Sequence, residues 1–241
     1  MLPLNLDRWN KVWLSKAWSY RPVPGTSMIE LHGVKGFLTP GDVAFLFNLA
    51  AELPSGGCYL EVGSWLGLSS ITFANGLIAN LNFQASIFCV DTWRGSPEHQ
   101  SMPETRENLY AHFLQNISDA QVKSFIHAFR GDSAEVARQW IGPGLDILFI
   151  DGDHSYEGCY RDICNWRSKL NPRGRLLGHD AVPGSEVAKA VSRFCTETAC
   201  TATIHPFPAT HYIWEIHLNT AERYSGTRKV APAHQQVLRG E

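Results

Sequence analysis

Apolar positions along the chain follow two alternating patterns. Short unbroken apolar runs read as buried strands: "CYLEV" from Cys58, "SIFCVD" from Ser86, "KSFIHAF" from Lys123, "LDILFID" from Leu145 and "GRLLGHD" from Gly174. Longer amphipathic stretches lie between them and predict helices over 68–80, 104–117, 133–140 and 156–170, with a fifth over 184–195. Such alternation predicts βαβ units and a parallel sheet covered on both faces. Two later runs, "TATIHPF" and "THYIWEIHL", are separated only by "PA" and predict a hairpin. The expected fold class is therefore α/β, a doubly wound and mostly parallel sheet of seven strands with an antiparallel C-terminal hairpin edge.

The same pattern divides the chain into three parts. Residues 1–36 are an aromatic-rich lead-in in which Trp9, Trp13 and Trp18 fall at near-helical spacing. A short helix packed on the main domain fits them, as do a substrate lid and a dimer arm. The main domain is expected over 37–218, followed by a polar, aperiodic tail over 219–241. Its first helix is announced in "FLTPGDVAFLFNLAAEL": Thr39 caps, Pro40 takes the first helical position, and Asp42 stands three residues after the cap. The long segment "RGSPEHQSMPETRENLY" from Arg94 is expected to roof a pocket.

Composition narrows the partners. With a net charge of −2 the chain has no basic footprint for nucleic acid, and no apolar run approaches the roughly 18 residues of a membrane span. The N-terminus carries charges throughout and lacks the h-region of a secretory signal. Six scattered cysteines without a C-x-x-C read as reduced thiols, which makes the cytoplasm the default location.

Ligands of doubly wound sheets bind beyond the carboxyl ends of the strands. In this chain the first strand delivers Glu61, then Gly63 and Ser64 in a turn that ends at Gly67 before Ser69. Trp65 interrupts the dinucleotide pattern there and obstructs a pyrophosphate, which disfavours a nicotinamide-dependent dehydrogenase. The second strand ends in Asp91, suited to ribose hydroxyls or to a plain capping role, with Trp93 just beyond. The third delivers Asp132 and Ser133, either of which suits a helix cap. Asp151, Asp153 and His154 follow the fourth, and His179 and Asp180 end the fifth. No G-x-S-x-G supports a hydrolase.

In these residues the chain resembles the class I S-adenosylmethionine-dependent methyltransferases, Rossmann-like enzymes, and within them the metal-dependent small-molecule O-methyltransferases. "EVGSWLGLSS", "VDTW", "GDS", "FIDGDHSYEG" and "GHD" carry the resemblance, over roughly residues 37–217. It implies S-adenosyl-L-methionine as methyl donor. Glu61, Gly63, Ser64 and Ser69 would then lie on the methionine side, Asp91 at the ribose, Asp132 and Ser133 at the adenine, and Asp151 close by. Trp93 would pack near the adenosine or else in the core.

The resemblance further implies a divalent metal, Mg²⁺ or Mn²⁺, held by Asp151, His179 and Asp180. His154, three residues beyond the first acid, would be the base toward a hydroxyl acceptor. His179 departs from the family pattern, where an acid is usual, and a nitrogen ligand would favour Mn²⁺, Fe²⁺ or Zn²⁺. Asp153 is read as the cap of the following helix. The expected partner is a small-molecule hydroxyl compound (natural product, sugar or phenol), with homo-oligomerisation open and no nucleic acid or membrane. The alternative of another class is a cofactor-binding module without catalysis.

Overall fold

The computed structural model describes residues 20–31, 33–96, 108–205 and 212–219. Trp9, Trp13 and Trp18, most of the expected pocket roof and nearly all of the C-terminal tail lie outside these residues.

Seven strands form one sheet. They are β4 (Cys58–Val62), β5 (Ser86–Asp91), β6 (Ile126–Arg130), β7 (Leu145–Ile150), β8 (Leu170–Gly178), β9 (Thr201–His205) and β10 (Ile213–His217), in the spatial order β6-β5-β4-β7-β8-β10-β9. Neighbours from β6 through β8 run parallel. β10 pairs antiparallel with both β8 and β9, so the C-terminal hairpin makes the edge. The chain starts this sheet at β4, steps outward to β6, and then returns to β4's other side, which places the switch point between β4 and β7.

Side-chain alternation along each strand splits the core into two layers. Tyr59, Ile87, Phe149 and Leu177 pack toward α1 (Pro40–Leu49), α2 (Leu68–Ala79) and α3 (Leu109–Asp119). Leu60, Val62, Leu148 and Leu176 face the opposite layer, where α4 (Ser133–Gln139), α5 (Tyr156–Trp166) and α6 (Glu186–Thr198) contribute Trp166 and Phe194. All six cysteines are free thiols. No helix among the described residues is long and apolar enough to cross a membrane.

Several boundaries differ from expectation. Lys123–Phe125, read as strand, form a 3-10 turn before β6. The helix expected to reach residue 170 ends at Trp166, because Leu170 already begins β8 and pairs with Leu145. The fifth helix starts at Glu186, where the Ser185 side chain accepts from the Ala188 amide. The lead-in also holds a small antiparallel sheet of β1 (Arg21–Pro22), β2 (Ile29–Leu31) and β3 (Val34–Gly36). Its strands of two or three residues are too short to show alternation, yet Ile29, Leu31 and Val34 join the main core.

Helix α1 begins as its sequence announces. The Thr39 side chain accepts from the Asp42 amide, and the Asp42 carboxylate accepts in return from the Thr39 amide at 2.8 Å. Asp42 is nevertheless fully buried, which a capping role alone does not require.

Candidate active site

A cavity of about 600 Å³ opens over the carboxyl ends of β4, β5, β6, β7 and β8. Gly63, Ser64, Ser69, Asp91, Asp132 and Ser133 all line it, and so do Asp151, His154, His179 and Asp180. Two of the expected residues do not line it, Glu61 and Trp93.

The turn after β4 passes close against the end of β7. Gly63 has φ +89°, and a Cβ built there would sit 2.0 Å from the Asp151 carbonyl oxygen. Glycine is therefore required both by conformation and by space. Trp65 follows at φ 43° and donates its amide to Asp91 Oδ2 at 2.8 Å. The Trp93 amide donates to Asp91 Oδ1 at 2.6 Å. Asp91 thus ties the β4 turn to the β5 turn while still lining the cavity. Burial pushes its carboxyl above the usual range, opposed by these backbone donors.

Trp93 is a core residue. Its ring packs on Tyr110 and Phe113, and its Nε1 donates to the Trp65 carbonyl at 2.9 Å. Trp65 instead lines the cavity and lies against Phe37, with ring centroids 5.3 Å apart.

Strand parity decides the fate of Glu61. It points with Tyr59 toward α2, where it accepts from Ser70 Oγ at 2.7 Å and from the Tyr59 hydroxyl at 3.0 Å. Burial pushes its pKa up to about 7, with hydrogen bonds from Ser70, Ser64 and Ser69 opposing. Between pH 4.5, its ordinary value, and about 7 the folded chain holds a proton that the unfolded chain releases. Stability from this group therefore falls as pH rises through that window. Urea midpoints measured from pH 4.5 to 7.5 are expected to show a smaller decline in Glu61→Gln than in the wild type; parallel profiles would contradict the assignment.

At the entry to α4, Asp132 is the cap and accepts from the Ala134 and Glu135 amides. Ser133 Oγ accepts from Trp166 Nε1 at 2.8 Å. At the entry to α5 the expected cap is corrected. Ser155, not Asp153, caps the helix by accepting from the Gly158 amide, and Asp153 accepts from the Ser155 amide at 2.9 Å. Asp153 stands two residues before the cap position, too early to reach the helical amides.

Four ionisable groups converge beyond β7 and β8. His154 Nε2 lies 3.1 Å from Asp180 Oδ2 and 3.6 Å from Asp151 Oδ1. His179 Nδ1 lies 3.4 Å from Asp151 Oδ1 and 3.5 Å from Asp180 Oδ2. On its other edge His179 Nε2 meets Asp42 Oδ2 at 3.2 Å. Asp180 reaches the cluster from a left-handed turn, φ 63°, beyond the strand end at Gly178.

Burial opposes a charge on His179, which is 3% exposed, but Asp151 and hydrogen bonds to Asp151, Asp180 and Asp42 outweigh it and hold its pKa well above the ordinary value. Burial likewise pushes Asp151 up, and His179 and His154 outweigh it to hold the carboxyl below the usual range. His179 thus stands buried within reach of three carboxyl groups, those of Asp42, Asp151 and Asp180. Asp42 is the partner that sequence reasoning missed, since its capping-box position already accounted for an acid there.

Ligand atoms of Asp151, His154 and Asp180 lie within 4.8 Å of one another, close enough to share one ion. Their donor set of two carboxylates and an imidazole suits a divalent cation of the Mn²⁺, Fe²⁺ or Zn²⁺ type at least as well as Mg²⁺.

The strand order, parallel from β6 through β8 with an antiparallel hairpin at one edge, is that of the doubly wound, Rossmann-like fold expected from the sequence. The family described as a methyltransferase domain matches residues 60–181, half of the chain, and the chain belongs to that family. A protein of Sinorhizobium fredii (strain NBRC 101917 / NGR234), "Uncharacterized protein y4gI", is 31% identical over 125 residues, covering 50% of this chain and 13% of that protein. The match therefore spans only a small part of that relative's length.

Among solved structures, the O-methyltransferase NovP superposes with a TM-score of 0.60 at 15% identity, covering 75% of this chain and 81% of that one. An O-methyltransferase from Bacillus cereus, solved with S-adenosylhomocysteine, gives 0.56 at 18% identity over 74% and 81%. TomG from Streptomyces achromogenes, solved with S-adenosylmethionine, gives 0.57 at 14% over 76% and 82%. At these identities the likeness is one of fold.

Proposed function

We propose that the chain methylates a hydroxyl of a small molecule, with S-adenosyl-L-methionine in the cavity and a divalent cation beside it. The observation that carries this reading is the convergence of Asp151, His154 and Asp180 at the end of the cavity formed by β7 and β8. A sulfonium methyl is already electrophilic, so the protein must produce an oxyanion and align it. Asp151 and Asp180 would hold the cation, which when bound supplies a lowered pKa to a coordinated hydroxyl.

His154 is one-third exposed and lines the cavity, so it can reach an acceptor and take its proton. His179 is clamped by Asp42 and offsets the negative charge of the two aspartates. Gly63, Ser64 and Ser69 would flank the methionine moiety, Asp91 the ribose, and Asp132 and Ser133 the adenine. A second reading, favoured by the short spacing of His154 to both aspartates, makes His154 a metal ligand instead of the base. A His154→Gln variant separates the two, since only a ligand role predicts a weaker affinity for Mn²⁺ measured directly.

The test of the main reading combines binding and turnover. Calorimetry is expected to show S-adenosylhomocysteine binding. Methyl transfer to a panel of sugars, phenols and polyketide hydroxyls is expected to fall on chelation and return with Mg²⁺ or Mn²⁺. Binding without transfer to any acceptor would favour a cofactor-binding module instead, and turnover indifferent to chelation would remove the metal.

A further inference from the structure

Helix α5 carries one buried carboxylate that neither the fold nor the mechanism above uses. Asp162 is 1% exposed, yet it lines the cavity. Its place in the helix is among Cys159, Ile163 and Trp166, all buried residues of the inward face. An acid in such a stripe costs free energy unless it is satisfied. Only half of it is satisfied. A hydrogen bond joins the carboxylate to the Ser133 side chain, while Oδ1 accepts no hydrogen bond among the described residues. Arg161 Nε stands 4.0 Å from Oδ1, too far to donate.

Its position matches one part of the ligand. Asp162 Oδ2 lies 3.6 Å from where a Cβ on Gly152 would be, in the floor of the cavity after β7. Ser133 and Asp132 border it from the loop after β6. By strand order Asp132 and Ser133 approach from the β6 side of the cavity, whereas the Asp151, His154 and Asp180 cluster spans the ends of β7 and β8. The ligand group that belongs there must offer a hydrogen-bond donor to a carboxylate.

We infer that Asp162 accepts a hydrogen from the exocyclic amine of the cofactor's adenine and thereby makes the pocket select adenine over hypoxanthine. The inference rests on S-adenosylmethionine occupying the cavity as proposed above. Burial pushes the Asp162 pKa up to about 6, with the Ser133 hydrogen bond opposing, so the group is mainly ionised at neutral pH and acts as an acceptor.

The neighbouring contacts also fix what an amide would do there. Ser133 Oγ already accepts from Trp166 Nε1, so its own hydrogen is directed at the Asp162 side chain. In Asp162→Asn that hydrogen retains the amide oxygen, which turns the new NH₂ to the side where the acceptor stood. The adenine amine then meets a donor, whereas the carbonyl oxygen of hypoxanthine meets a complementary one.

The experiment is calorimetric titration of the full chain at pH 7.5 with S-adenosylhomocysteine and with its deaminated analogue S-inosylhomocysteine. Wild type is expected to prefer the adenine compound by about 10–100-fold, the range for a hydrogen bond to a charged group. Asp162→Asn is expected to abolish or invert that preference, with its fold checked by circular dichroism. Equal affinities of the wild type for the two compounds would overturn the inference without recourse to a variant, as would an Asp162→Asn protein that keeps the wild-type preference. Binding of neither compound to the wild type would overturn the inference and the proposed function together, whereas equal binding of both leaves the proposed function standing.

Discussion

Gly63→Ala is expected to lose S-adenosylhomocysteine binding and a substantial part of the protein's stability. The methyl group would arrive 2.0 Å from the Asp151 carbonyl oxygen, and the obstacle is backbone in a central strand end, which has no rotamer to change. The residue would also have to hold φ +89°, outside the range L side chains favour. Left-handed strain of about 1–2 kcal/mol and overpacking of about 1–3 kcal/mol together predict a loss of about 2–5 kcal/mol. Relief by moving the turn would displace Ser64 and Trp65, and with them the hydrogen bond from the Trp65 amide to Asp91. Urea unfolding and calorimetry read the two effects separately. A variant with wild-type midpoint and wild-type affinity would show that the close approach of β4 and β7 is not needed for the site.

His154→Ala is expected to lower kcat by about 10²–10⁴-fold near neutral pH, the usual contribution of a positioned general base, while leaving S-adenosylhomocysteine affinity close to that of the wild type. The split between turnover and cofactor binding matters here. His154 meets Asp151 and Asp180, the two residues that the proposed function gives to the cation. A hydroxide-driven reaction would partly bypass the missing base, so the deficit is expected to shrink as pH rises toward 9. An unchanged kcat at pH 7 would remove His154 from the chemistry. A deficit that persists at every pH and is matched by loss of Mn²⁺ affinity would move it to the metal.

Much of this architecture is readable before any coordinates, and the exceptions have physical causes. Runs such as Leu145–Ile150 are buried on both faces, so their uninterrupted apolarity is the signal itself. The polar strand ends that line the cavity are legible for the same reason, since each marks where a buried run stops. Glu61 and Trp93 stand next to strand ends, yet their side chains turn into the core. Counting parity from Tyr59 would have placed Glu61 on the α2 face.

Asp42 was hidden because one carboxylate serves two partners, the helix cap and His179. The spacing of a capping box is local, whereas an ion pair with a residue far along the chain has no local signature. Asp162 did leave a trace. Cys159, Asp162, Ile163 and Trp166 follow the i, i+3, i+4, i+7 stripe of an inward helix face, and a charge within such a stripe marks a position held for something other than packing.

The pairing of Asp42 with His179 also bears on where this molecule can be cut. The segment that defines the family begins at residue 60, beyond the helix that carries Asp42. A fragment trimmed to that segment would keep His179 yet lose the carboxylate on its Nε2 edge, together with the α6 helix and the β9–β10 hairpin that lie after residue 181. Its recognisable portion and its smallest working portion are therefore different lengths of chain.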